Sequence, residues 1–95
     1  MKLHVLSHTI RVVCDDAKGW ETGSHGQFTE NDLIVRVRKG LEEQVKDLTI
    51  CHELCHVIES LTGQPMTEQQ IQCMALGWYS IIMENPEFIE AMWDK

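Results

Sequence analysis

The sequence predicts an α+β domain over residues 1–95, with a small antiparallel or mixed sheet of three to four strands, then a helix carrying HELCH and a second long helix. Three observations predict it. Apolar and polar residues alternate with a period of two in the first forty or so positions, as in half-buried strands. From Leu41 to Thr62 there is neither Gly nor Pro, and the apolar period changes to that of a helix. Thr67 followed by Gln70 then has the form of a capping box, which opens a second helix.

Residues 2–13 alternate well enough for one or two strands, with Leu3, Val5, Ile10 and Val12 on one side and Ser7-His8 as the expected turn. From Asp15 to Gly26 the composition changes to Asp, Lys, Gly, Ser and Glu, an irregular loop carrying Trp20. Gly26 to Thr29 and Leu33 to Arg38 read as a hairpin joined by Glu30-Asn31-Asp32. The first helix is expected over Leu41 to Thr62, with Gly63 as its stop. A second should run from Glu68 to about Asn85, where Pro86 blocks continuation and opens a short last helix to Trp93.

Composition bounds the function. A domain of 95 residues buries only a modest core, so a bound metal would help to hold it. A net charge of −7 repels phosphate backbones, and the Arg36, Arg38, Lys39 group reads as the solvent face of a strand, so no nucleic-acid partner is expected. No stretch is apolar enough for a membrane span, and MKLHVLSHTIRVV lacks the continuous apolar run of a signal peptide. The expectation is a cytoplasmic protein, as monomer or small homo-oligomer, whose cysteines at 14, 51, 55 and 73 are free thiols and mostly buried.

On a helical wheel Ile50, Leu54, Val57, Ile58 and Leu61 share one face, and Leu41, Val45 and Leu48 a second one nearly opposite. A helix apolar on two sides is sandwiched between layers. His52 and His56 continue the second stripe, about 40° apart, so that two imidazole nitrogens reach one spot, the spacing that tetrahedral zinc takes from two ligands. Glu53 points about 60° beyond His56, where a carboxylate serves as general base toward a zinc-activated water.

A catalytic zinc has three protein ligands. Glu68, in the first turn of the second helix with Gly63 and Pro65 reversing the chain before it, is the best-placed third. Glu59, one turn beyond His56, is its rival, and Cys73 is a more distant one. An acidic residue in a first helical turn also has an ordinary explanation in the helix dipole. Cys51 and Cys55 face the core as small apolar fillers, and Ile71, Met74, Ala75, Trp78, Ile81 and Ile82 form the expected buried face of the second helix. His25, in the loop before Gly26, is a candidate stabiliser of a developing oxyanion, and Tyr79 a weaker one.

GQF at 26–28, LIVRV at 33–37, DLTICHELCHVIE at 47–59 and TEQQIQCMALGWYSIIMENPEF at 67–88 together resemble a minimal zincin of the gluzincin type, in particular the small ImmA/IrrE-like metallopeptidases of phages and mobile elements. The resemblance implies a zincin-like fold, Zn2+ bound by His52, His56 and Glu68, Glu53 as base, and hydrolysis of a peptide bond in a protein or peptide substrate. It also implies that an edge strand, with Gly26, Gln27 and Phe28 as the candidate, holds the substrate in extended form. Glu59 and Thr62 stand where metzincins carry Gly and a third His, which separates the chain from that branch. No helix-turn-helix accompanies the motif, so repressor cleavage is not carried over. The competing expectation is a non-catalytic zincin-like module that binds a protein, with structural zinc or no metal.

Overall fold

A computed structural model describes all 95 residues as four strands and three helices. The strands are β1 (Lys2–Val5), β2 (His8–Asp15), β3 (Gly26–Thr29) and β4 (Ile34–Arg38), and the helices α1 (Glu43–Thr62), α2 (Glu68–Glu84) and α3 (Pro86–Trp93). They form one mixed sheet in the order β1-β2-β4-β3. β1 and β2 pair antiparallel, β2 and β4 parallel, and β3 closes back antiparallel on β4 with Gly26 opposite Val37 and Thr29 opposite Ile34. β3 is therefore an edge strand, and it lies beside α1.

The alternation in the sequence explains which face is covered. Ile10 and Val12 of β2 and Val35 and Val37 of β4 are buried, and Ile50 and Val57 of α1 pack on them. On the opposite face Arg36 donates to the Thr29 hydroxyl (2.7 Å) and lies 3.8 Å from Asp15. Arg38 donates to the Ser24 carbonyl (2.7 Å) with its guanidinium 5.7 Å from the Trp20 ring centroid.

The first hairpin turns one residue earlier than expected: Val5 pairs with His8, leaving Leu6 and Ser7 as the two turn residues, both at positive φ (48° and 68°). Two left-handed residues in a row match the twist of paired strands, and tertiary pairing has imposed that turn on residues that do not favour it. Leu33, expected to begin a strand, sits at φ 52° in the second turn, and β4 starts at Ile34. α1 begins at Glu43 rather than Leu41 and ends in the left-handed Gly63 (φ 68°). α2 opens on the expected capping box: the Gln70 N–H donates to Thr67 Oγ1 (3.1 Å) and the Thr67 N–H to Gln70 Oε1 (2.9 Å).

Several expectations about packing are corrected: Ile58, placed on the core face of α1, is exposed, and of the cysteines expected to be mostly buried only Cys55 is, with Cys51 half-buried and Cys14 and Cys73 exposed. α2 does not cover the Val45, Leu48, His52 stripe of α1. It rests instead on the cysteine stripe, where Cys55 is buried with Ile71 and Ala75, flanked by Cys51 and Met66. Small side chains let the helices approach there, and the histidine stripe is left as the wall of a cleft. The expected buried face of α2 is covered only at Ile71 and Ala75; Met74, Trp78, Ile81 and Ile82 are 39–49% exposed. The wheel locates an apolar face, yet only a neighbour can bury it, and α1 meets α2 in its first two turns.

Candidate metal centre

Position along α1 decides the chemistry of each residue in HELCH. His52 and His56 are one turn apart, half-buried, with ring centroids 5.2 Å apart at an interplanar angle of 61°. Glu68 arrives from the first turn of α2. Its Oε1 is 2.8 Å from His52 Nε2 and its Oε2 3.5 Å from His56 Nε2. One ligand atom from each of the three lies within 4.8 Å of the others. Donor atoms on a tetrahedral zinc ion are roughly 3.3 Å apart, given its ordinary bond lengths. The three residues fit such an ion if the widest separation closes by up to about 1.5 Å, shared between the side chains, and two imidazoles with a carboxylate also suit other first-row divalent cations.

The remaining acids and thiols take other places. Glu59 lies on the opposite edge of the His56 ring, with Oε1 3.2 Å from Nδ1, while its Oε2 accepts the Met66 N–H at 2.6 Å. Those two contacts hold its carboxyl below the usual carboxylate range, the Met66 N–H contributing most. Cys73 is exposed and outside the group. All four cysteines are free; burial pushes the Cys51 and Cys55 thiols up, Asp47 adding to the effect at Cys51, so both stay protonated and act as apolar filler.

Glu53 is 7% exposed, and the sheet side of α1 dictates its environment. Burial raises its carboxyl above the ordinary value, partly offset by His56 and His52. It borders two cavities of about 570 and 550 Å³ that meet along α1. Gln27, Phe28 and Glu30 face Glu53, His56 and Glu59 across the first. His25 and Gly26 face His52, Glu53 and Glu68 across the second. The structure thus brings His25 and the Gly26–Phe28 strand beside the histidines. Tyr79, half-buried in α2, lines neither cavity.

Gly26 has a local reason to be glycine. A Cβ there would meet Thr49 Cγ2 at 2.7 Å, Glu53 Cγ at 3.1 Å and the Arg36 carbonyl at 3.2 Å. The missing side chain lets the edge strand press against α1 at the level of Glu53. In the sequence Gly26 reads as the start of a strand and as a substrate contact; its wedge-like fit against Thr49 depends on the strand-to-helix packing.

No helix is long and apolar enough to cross a membrane. Compared with models of protein families, with curated proteins and with solved structures, the chain matches none.

Proposed function

We propose that the protein is a zinc-dependent metallopeptidase, with His52, His56 and Glu68 as the metal ligands and Glu53 as the general base. The observation that carries the reading is the convergence of three donor atoms within 4.8 Å beside a buried carboxylate that borders two open cavities. When bound, the cation supplies a Lewis acid for a scissile carbonyl and lowers the pKa of water. Glu53 takes the proton of the attacking water and returns it to the leaving amine nitrogen. Burial suits it to both steps, because a carboxyl raised from its ordinary range holds a proton more readily near neutral pH.

The edge of β3 offers unpaired backbone groups along the groove, so that an extended peptide can add to the sheet at Gly26, Gln27 and Phe28. His25 lines the second cavity, which supports it as a donor toward a developing oxyanion. A site closed by a fourth protein ligand would favour a structural metal in a non-catalytic binding module. Glu59 is engaged by His56 and Met66, and Cys73 is outside the group, so a cation held by His52, His56 and Glu68 would keep a position for water or substrate.

Metal analysis of protein purified without added metal should give about one equivalent of zinc, lost in His56→Ala. Glu53→Gln should keep the metal and lose peptide hydrolysis by about 100-fold or more. A Gln variant that cleaves as fast as the wild type would sink the assignment of the base.

A further inference from the structure

Only His56 among the three ligands is held from behind. Its Nδ1 faces Glu59 Oε1 at 3.2 Å, whereas the contact that positions the His52 ring is Glu68 itself, on the Nε2 side. A proton shared between Nδ1 and a carboxylate keeps the Nε2 lone pair free for a cation.

The second oxygen of the same carboxylate does a different task. Glu59 Oε2 accepts the Met66 N–H at 2.6 Å. Met66 immediately precedes Thr67, the residue that caps α2, and stands two positions before Glu68. The chain has just reversed through Gly63 at φ 68°, and the Met66 side chain packs against the Cys55, Ile71, Ala75 cluster. The Glu68 side chain is 60% exposed, so little besides the placement of the helix start and the two imidazoles decides where its carboxylate lies.

We propose that Glu59 is a positioning residue that sets two of the three ligands at once, His56 through its ring and Glu68 through the loop that delivers it. The inference rests on the metal reading of His52, His56 and Glu68. It goes beyond that reading in coupling the ligand on α1 to the ligand on α2 through one side chain that is not itself a ligand. His52 and the packing of Cys55 on Ile71 lie outside its reach. Losing Glu59 therefore loosens the site while leaving the helix pair in place.

The test is a zinc titration against a competing chelator, with Co2+ absorption as second readout, on wild type, Glu59→Gln, Glu59→Ala, Glu68→Ala and the Glu59→Ala/Glu68→Ala double variant. A glutamine can satisfy the imidazole N–H or the Met66 N–H with its single carbonyl oxygen, not both. Affinity should fall roughly 10-fold in Glu59→Gln and about 100-fold in Glu59→Ala, one order of magnitude for each lost support. In the Glu68→Ala background the Glu59→Ala change should cost only the His56 share, roughly 10-fold. At saturating Co2+ the Glu59→Ala spectrum should differ from wild type in band position, which a loss of fold stability alone would not produce. Circular dichroism checks the fold, and Glu59→Gln decides if the alanine variant does not fold. Wild-type affinity and spectrum in both Glu59 variants overturn the inference while the metal reading stands. Effects of Glu59→Ala and Glu68→Ala that simply multiply overturn the coupling. A wild type that binds no metal overturns the reading beneath it.

Discussion

Glu53 is the residue at which the proposed function and stability oppose each other. It is 7% exposed in a small protein, with a carboxyl raised chiefly by burial, then pulled back by His56 and His52 and pushed up again by Glu68. An acid whose folded pKa lies above its unfolded one binds more protons folded than unfolded, so its contribution favours the fold at low pH and is lost as pH rises through the window between the two values. Metal-free Glu53→Gln should therefore be more stable than metal-free wild type at pH 7, and its advantage should shrink as pH falls toward the ordinary carboxylate range. Urea midpoints of both proteins between about pH 4 and pH 8 check this. A gain that grows on acidification contradicts the sign. Glu59 runs the other way: its lowered carboxyl stabilises the fold above the ordinary range and loses that effect as pH falls. The two acids differ in what surrounds them, close packing between α1 and β3 for one and N–H donors for the other, which no residue-type rule distinguishes.

At the scale of elements, the contact between β3 and α1 fixes how near an edge strand comes to the HELCH helix. Thr49 sends its hydroxyl back to the Val45 carbonyl (2.6 Å) while its methyl occupies the space that a Cβ on Gly26 would need. Gly26→Ala should destabilise the fold by about 1–3 kcal/mol, as overpacking does, and displace Glu53. Thr49→Ser keeps the hydroxyl and removes the methyl, so the double variant should recover most of the loss in chemical denaturation. An unchanged midpoint in Gly26→Ala would mean that the strand does not approach the helix so closely. This contact also marks the boundary of what was legible in the sequence. The α+β order, the capping box at Thr67, the stop at Gly63 and the helix break at Pro86 were readable because each depends on neighbours in the chain. The parallel pairing of β2 with β4, the turn at Leu6-Ser7 and the face of α1 that receives α2 were not, since those depend on which surfaces meet. In the candidate site the spacing of His52 and His56 and the return of Glu68 were visible for the same local reason. The role of Glu59 was not, because one-turn spacing from His56 is equally compatible with a ligand and with a support behind the ring.

Across the whole molecule, order is distributed unevenly. The sheet and the sheet-facing side of α1 hold the larger core, and the start of α2 adds a smaller one at Cys55, Ile71 and Ala75. Beyond Ala75 no residue is buried; α3 contributes none, and Trp93 is 84% exposed. The molecule is accordingly elongated, 44 × 30 × 26 Å, with the His52, His56, Glu68 group at the well-packed end of the helix pair. An eight-residue helix is too short to be stable alone in water, so α3 should open independently of the core. Two substitutions separate the regions. Val57→Ala removes methyl groups from a fully buried position and should cost about 2 kcal/mol of global stability. Glu90→Pro disrupts α3 from within, a change that costs about 3 kcal/mol in a helix coupled to the core. Here it should move the global midpoint by less than about 0.5 kcal/mol, because unfolding of the core does not release α3 from anything that buries it. Hydrogen exchange should show the amides of α3 unprotected while those of β2, β4 and mid-α1 exchange slowest. A Glu90→Pro cost equal to that of Val57→Ala would show that the last helix belongs to the cooperative core, and that its apolar face is covered in solution.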